Sequence, residues 1–149
     1  MAGDSCVSLG DGVAQTFCRT PKIWKQSGVL IGVAGDGAAD YMIARIPWVA
    51  SPQWLESHGA QLLAERAKSA EISCDVLIGI RGRLYQSDGH CTFPIAGRYG
   101  AIGCAEGYLI GFLEASQLPP HRRVAAAVRG AGKRYAGVGG RTWVVSSAV

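Results

Sequence analysis

The residues whose types and spacing best suit chemistry are the glycines within residues 29–40, which read VLIGVAGDGAAD. Residues 29–31 are apolar and mostly β-branched, which predicts a buried strand. Gly32, Gly35 and Gly37 follow, and glycine is favoured where φ must be positive or where the backbone approaches another group closely. A helix is predicted next, from about residue 38 to residue 46. Free backbone N–H groups at such a turn attract a phosphate or a forming oxyanion.

This glycine turn has three interpretations. A dinucleotide fingerprint would need a third glycine closing G-x-G-x-x-G, but Asp40 occupies that position. It would also need a second strand ending in an acid about 20 positions later, and residues 47–56, PWVASPQWLE, do not indicate a strand. A tight turn without a ligand is the second interpretation. The third is a family resemblance, which depends on the rest of the chain.

The cysteines and histidines do not indicate a metal site. There are five cysteines, an odd number, and no C-x-x-C pair supplies the ligand spacing of zinc. His90 and Cys91 are adjacent, but neighbouring residues of a strand point to opposite faces. Free thiols in a reducing compartment, with no metal and no cofactor, are therefore expected.

Composition and charge favour a single globular domain over a membrane-spanning or nucleic-acid-binding protein. The chain has 149 residues, 48% of them hydrophobic, which suits one globular domain spanning residues 1–149. No apolar run reaches the length of about 20 residues that spans a bilayer, and the first residues lack the pattern of a signal peptide. The net charge is +4, and no acid follows Glu114. This basic segment predicts a solvated helix face or a contact with an acidic partner, whereas no motif supports nucleic-acid binding.

The order of the predicted elements is strands, two helices, strands, two helices and a strand. Ser51 and Pro52 provide an N-cap and a first helical residue for a helix that runs to about residue 70. A hairpin or loop is predicted at residues 10–12, and hairpins are predicted around residues 26–28 and 82. Further strands are predicted at residues 99–103 and 142–146. The last two helices are expected around residues 109–113 and 124–134. Two stacked, mostly antiparallel sheets between two helical layers would cover every apolar face, so the predicted fold class is an α+β, four-layer αββα sandwich.

Four short motifs in this order resemble the proteasome β-subunit family, which includes the bacterial peptidase HslV and small proteasome-like proteins of phages. They are AGDS at residues 2–5, PKI at residues 21–23, GVAG with AAD at residues 32–40, and AIGC at residues 101–104. The resemblance covers nearly the whole chain. It implies the αββα fold of the N-terminal nucleophile (Ntn) hydrolases. In that family an N-terminal Thr, Ser or Cys attacks a carbonyl, and its own α-amino group accepts the proton.

The resemblance assigns roles to four residues. Asp4 matches the aspartate that holds the catalytic lysine, and Lys22 matches that lysine, which lowers the pKa of the nucleophile. Gly35 matches the oxyanion donor. Cys104 stands where the family usually has a serine near the α-amino group. These four are the predicted catalytic positions, and they are expected to be vestigial.

Three departures from the family lead to that expectation. Residues 1 and 2 are Met and Ala, so no nucleophile follows removal of the initiator. The family's first strand, which precedes A-G-D, has no counterpart, and residues 133–137, KRYAG, lack the family's later aspartate. The sequence therefore predicts a self-associating structural or assembly subunit that is not an enzyme, in a bacterial cytoplasm or a phage virion. The alternative is a threonine-type, HslV-like peptidase whose first strand and nucleophile are missing from this chain.

Partners follow from the same hypothesis. The family's subunits pack into rings, so a homo-oligomer or ring is expected, together with virion or assembly proteins and without a membrane. Trp48, Trp54, Tyr108 and Phe112 fall on or beside helices that would lie outside the sandwich. Large aromatic side chains at such positions predict surfaces that a neighbouring subunit covers.

Overall fold

A computed structural model describes residues 1–3, 6–9, 14–17, 21–35 and 39–146. The strands are β1 (Ala2–Gly3), β2 (Cys6–Leu9), β3 (Ala14–Phe17), β4 (Ile23–Gln26), β5 (Val29–Gly35), β6 (Cys74–Ile80), β7 (Arg83–Ser87), β8 (Thr92–Pro94) and β9 (Trp143–Val144). The helices are α1 (Ala39–Ala44), α2 (Pro52–Trp54), a π-helical segment (Leu55–Gly59), α3 (Ala60–Ala70), α4 (Glu106–Ala115) and α5 (Pro120–Ala131).

The central sheet has five antiparallel strands in the order β4-β5-β6-β7-β8. Two of its connections are two-residue turns with positive φ at both positions, Ser27-Gly28 and Arg81-Gly82. Turns of this kind match the right-handed twist of the flanking strands. The predicted hairpins at residues 26–28 and 82 are therefore confirmed. For residues 10–12, the antiparallel pairing of β2 with β3 supports the hairpin rather than the loop.

Strict alternation along β5 and β6 divides the sheet into two faces. Val29, Ile31 and Val33 on β5 are buried with alternate residues of β6 beneath α1–α3. This cluster forms the main core. It also contains Trp48, which is 3% exposed and donates its Nε1–H to the carbonyl of Ile43 at 3.0 Å. The expectation that Trp48 faces outward is therefore wrong, since its ring fills the core beneath the helices.

The helix that follows Ser51 begins as predicted and ends at the predicted residue. The Ser51 hydroxyl accepts the backbone N–H of Trp54 at 3.3 Å, and Pro52 occupies the first turn. The helix then widens into the π-helical segment before α3 continues to Ala70. A Cβ atom on Gly59 would lie 2.7 Å from the ring of Trp54, so this ring rests on the glycine. Trp54 packs against the core, so the expectation that it lies on an outward surface is wrong as well.

The second sheet covers the other face of the central sheet. In it β1 pairs antiparallel with β9, and a Cβ on Gly3 would lie 2.7 Å from Ile23 of the central sheet. Helices α4 and α5 cover the outside, where the ring of Tyr108 on α4 packs on that of Tyr135 at 6.0 Å. The arrangement of helices, sheet, sheet and helices matches the predicted four-layer sandwich. Tyr108 and Phe112 are half-buried within the outer layer.

Several element boundaries differ from the prediction. Residues 99–103 form no strand; instead β8, at Thr92–Pro94, pairs with β7. The reason is local, since Asp88 accepts the N–H groups of His90 and Cys91 and turns the chain back toward β7. Helix α5 begins at Pro120, four residues before the predicted start, and β9 is shorter than predicted. Among the described residues, no helix is long and apolar enough to cross a membrane.

Candidate functional site

A cavity of about 630 Å³ lies between the two sheets and is the main candidate for a functional site. Its floor is the face of β5 and β6 opposite the main core. The walls come from residues 1–3 of the second sheet, the loop at residues 100–105, and apolar residues of α4 and α5. A volume of this size falls in the range of small-molecule and peptide pockets.

Glycines in the floor and in the loop that forms one wall create this space. A Cβ on Gly32 would lie 3.0 Å from Sδ of Met1 and 3.3 Å from Ile23. A Cβ on Gly100 would lie 2.9 Å from Leu77 and 2.6 Å from Ile95. A larger residue at Gly32 would therefore push Met1 of the second sheet away, and one at Gly100 would push the loop away from the central sheet.

Two of the predicted catalytic residues lie on the floor of the cavity. Lys22 immediately precedes β4, is half-buried, and accepts the N–H of Val33 through its backbone carbonyl at 2.9 Å. Gly35 ends β5 with a φ of +129°, a conformation that favours glycine. Gly35 thus has one of the two features for which glycine is expected in this turn, a positive φ. Both residues line the cavity.

Cys104 lies on the opposite wall, in the turn before α4. Gly103 before it has a φ of +89°, and a Cβ there would lie 3.2 Å from that of Ala34 on β5. Cys104 is a free, exposed thiol that lines the same cavity as Lys22 and Gly35. The fold thus brings three of the four predicted positions together. The fourth, Asp4, lies outside the described residues.

The cavity holds a carboxyl group that the sequence reasoning missed. Asp75 is on β6, between Cys74 and Val76, whose side chains are buried on the other face. Partial burial, and second the charge of Asp88, raise the pKa of Asp75 above its usual value. The signal was present in the sequence, because alternation along β6 places Asp75 and Leu77 on the face opposite the apolar run.

The whole arrangement is similar to solved structures. BPH from Thiobacillus denitrificans superposes with a TM-score of 0.74 and 17% identity over 95% of this chain and 88% of that chain. HslV from Trypanosoma brucei gives a TM-score of 0.70 and 16% identity, covering 95% of this chain and 88% of that one. Anbu, an ancestral beta-subunit from Yersinia bercovieri, gives a TM-score of 0.67 and 16% identity, covering 95% of this chain and 73% of that one.

The chain has an HslV-like fold. No family model and no curated protein matches its sequence, so the likeness lies in the structure. The predicted resemblance and the predicted fold class are both confirmed at the level of the three-dimensional fold. The motifs quoted for the resemblance were short, but their order along the chain was enough to identify the fold.

Few of the described residues that line the cavity of this HslV-like fold have polar side chains. Besides backbone groups, the described lining residues contribute the amine of Lys22, the carboxyl of Asp75, the thiol of Cys104 and the α-amino group of Met1. None of the described lining residues is a serine, a threonine or a histidine. The arrangement can therefore bind polar groups of an extended segment, but within these residues it presents no hydroxyl nucleophile.

The α-amino group of Met1 is already engaged. It donates to the carbonyl of Val145 at 2.8 Å, and the N–H of Val145 donates to the carbonyl of Met1 at 2.9 Å. Burial lowers the pKa of this amino group below its usual value. The strand pairing of β1 and β9 thus continues to Met1, whose sulfur reaches over Gly32 into the cavity.

His90 and Cys91 do not form a metal site with other described residues. Their backbone N–H groups bind Oδ1 of Asp88 at 2.9 and 2.7 Å. Across the part of the chain that the structure describes, no group of three potential metal ligands occurs. The Asp88–Cys91 segment is therefore a local turn.

Proposed function

We propose that this protein is a subunit with an HslV-like fold that acts by associating with copies of itself, without cleaving peptide bonds. The observation that carries the proposal is the content of the inter-sheet cavity. Lys22, Gly35 and Cys104 line it together, yet its described lining residues include no serine or threonine. In the related chemistry the lysine and the oxyanion donor only assist a nucleophile, so without that group most of the rate is lost.

Cys104 does not replace the missing hydroxyl in this proposal. A thiol that acts as a catalytic nucleophile needs a neighbouring base or a lowered pKa. No histidine is among the described lining residues, and Cys104 sits in an exposed turn before α4. We assign it the role of a wall residue.

The setting and the partners belong to the same proposal. We propose a bacterial cytoplasm or a phage virion, with other copies of the chain and assembly proteins as partners. Support comes from the described cysteines Cys74, Cys91 and Cys104, which form no disulfides, as is usual in reducing compartments. Support for self-association comes from the fold, since one structural neighbour is described as an ancestral beta-subunit.

A peptidase is the second candidate, and one observation favours it. Three positions matched to the catalytic set converge on a cavity large enough for an extended segment. In this alternative a threonine comes from a segment that the described residues do not include. BPH, a structural neighbour, has been solved in complex with epoxomicin, which offers a probe for such a site.

The experiment uses the purified chain, a panel of fluorogenic peptides and epoxomicin. We expect no turnover above buffer, no epoxomicin adduct in the intact mass, and a particle larger than 15.6 kDa by light scattering. The matched control is Lys22→Ala. Turnover in the wild type that disappears in this variant would establish the peptidase, and a monomer at all concentrations would overturn self-association.

A further inference from the structure

A second, smaller cavity lies where the end of α5 meets the loop that leads into β9. Its volume is about 300 Å³. Arg129 and Lys133 line it from the helical side, whereas Gly139, Gly140 and Thr142 line it from the loop. None of its described lining residues is acidic. Among the residues that the structure describes, the charged side chains of this cavity are therefore all positive.

The two cations lie side by side on the helix. They are four residues apart, a spacing that places side chains on the same side of a helix. The helical turn continues to Lys133, whose backbone N–H donates to the carbonyl of Gly130 at 3.3 Å. Both side chains are exposed, and neither has a hydrogen bond or ion pair with another described residue. Like charges at this spacing destabilise a helix, so an anion bound between Arg129 and Lys133 would relieve their repulsion.

Neighbouring arginines are engaged within the subunit instead. The guanidinium carbon of Arg134 lies over the ring of Tyr108, 5.3 Å from its centre. That of Arg141 lies over the ring of Trp143, 4.3 Å from its centre. These arginines pack on the fold, whereas the two cations of the cavity are available to a ligand.

The loop side adds a hydroxyl group and open backbone. Gly139 and Gly140 have no side chains, so their backbone forms this wall, and the φ of +70° at Gly140 is one that glycine adopts readily. Thr142 is half-buried, and its hydroxyl has no hydrogen bond with another described residue. A hydroxyl can donate one hydrogen bond to an anion. Beside these polar groups, Val128 and Val138 give the cavity an apolar part.

The charges decide which ligand fits. The C-terminal end of a helix carries about half a unit of negative charge, which opposes an anion near the end of α5. The two full positive charges at the same place outweigh it, and no acidic residue follows Glu114 to offset them locally. A phosphate group fits best, because it carries up to about two negative charges and three acceptor oxygens. Arginine binds such a group through two parallel hydrogen bonds.

We propose that this cavity binds a small phosphomonoester. Arg129 and Lys133 bind its phosphate group, Thr142 donates to one phosphate oxygen, and the organic part lies against Val128 and Val138. The volume of about 300 Å³ is at the lower end of the range for small-molecule pockets, which suits such a ligand. Among the described lining residues, this cavity shares only the two valines with the inter-sheet cavity. The inference goes beyond the proposed self-association and does not depend on it.

The test is calorimetric titration of the purified chain with phenyl phosphate and, separately, with inorganic phosphate, at constant ionic strength. We expect saturable binding of both, with phenyl phosphate tighter because its ring contacts the apolar part of the cavity. Arg129→Gln and Lys133→Gln should each weaken the binding of phenyl phosphate at least about tenfold, the usual effect of losing a hydrogen bond to a charged group.

Arg122→Gln is the matched control. Arg122 is an exposed cation of the same helix, seven residues before Arg129, and it does not line the cavity. Its substitution should leave the affinity for phenyl phosphate unchanged. An equal loss of affinity in Arg122→Gln and Arg129→Gln would overturn the inference, because it would show only a general attraction of anions to a basic helix.

Two further results would contradict the inference. Absence of saturable binding for both probes would overturn the site. Inorganic phosphate that binds as tightly as phenyl phosphate would overturn the phosphomonoester and assign the cavity to the free phosphate ion. If either cation variant fails to fold by circular dichroism, Thr142→Val replaces it and should weaken binding several-fold, since it loses only the hydroxyl. Unchanged affinity in that variant would then refute the inference.

Discussion

Gly35 and Cys74 lie directly opposite each other where β5 and β6 pair, and no side chain fits at Gly35. A Cβ on Gly35 would lie 2.7 Å from Cα of Cys74 and would overlap the carbonyl oxygen of Ser73. The φ of +129° adds to this restriction. The turn that the sequence singled out is therefore fixed by close backbone approach as well as by conformation.

The first prediction is that Gly35→Ala destabilises the protein strongly. The backbone strain alone is on the order of 1–3 kcal/mol, and the overlap with β6 adds to it. Chemical denaturation followed by circular dichroism measures the free energy of unfolding. The matched control is Gly82→Ala, where φ is +78° but a Cβ meets nothing within 4 Å. If both variants lose the same stability, close approach at Gly35 contributes nothing.

Local patterns in the sequence predicted much of this fold. The alternation in β5 and β6, the two-residue turns and the Ser51-Pro52 cap are short-range signals, and each produced the expected element. These signals are informative because the face of a strand residue and the cap of a helix depend on residues that are close in the sequence. The order of these elements, with the matched motifs, was then enough for the fold class.

Long-range contacts explain what the sequence did not predict. The loop near Tyr99 is tied to α5 by Arg123, 24 residues later, and no local pattern signals that contact. Trp48 is close in sequence to two prolines and was expected outside, yet its ring fills the core. The convergence of Lys22 and Cys104 followed from the resemblance, whereas Asp75 was missed although its strand was identified.

The second prediction concerns Trp48. Trp48→Ala should cost about 3–5 kcal/mol of stability, the usual range for a large aromatic residue in a core. Trp48→Phe should cost less, because it keeps part of the buried ring although it loses the hydrogen bond to the carbonyl of Ile43. Denaturation measures both. Light scattering at a temperature where the variants are folded should show unchanged association; weaker association with full stability would mean that Trp48 lies at an interface.

The third prediction concerns the thiols. Cys104 and Cys91 are exposed and should react with a thiol reagent in the native protein, whereas Cys74 is buried and should react only on unfolding. Cys104→Ser should therefore lower the number of rapidly reacting thiols by one. Cys74→Ser is the control and should leave that number unchanged. Equal effects of the two substitutions would contradict the placement of Cys104 on the open wall of the cavity.

The fourth prediction compares two carboxyl groups whose pKa values move in opposite directions. Burial and the Asp88 charge raise the pKa of Asp75 above that of the unfolded chain. Hydrogen bonds from the N–H groups of Cys91 and His90 lower the pKa of Asp88. A raised carboxyl pKa means that the folded state holds the proton more tightly, so that stability is lost as pH rises through the folded value. A lowered pKa gives stability that is lost as pH falls through the folded value.

Asp75→Asn and Asp88→Asn should therefore respond to pH with opposite signs. Relative to the wild type, Asp75→Asn should gain stability as pH rises from about 3 to about 7. The gain should be small, since solvent screens a carboxyl that is only partly buried. Asp88→Asn should be less stable than the wild type near pH 7. This deficit should shrink as pH falls below about 4, the ordinary value of an unfolded Asp, toward the lowered pKa of the folded carboxyl. Urea denaturation at a series of pH values measures both, and the same sign for the two variants would show that the Asp88 turn and the cavity wall do not hold these groups as described.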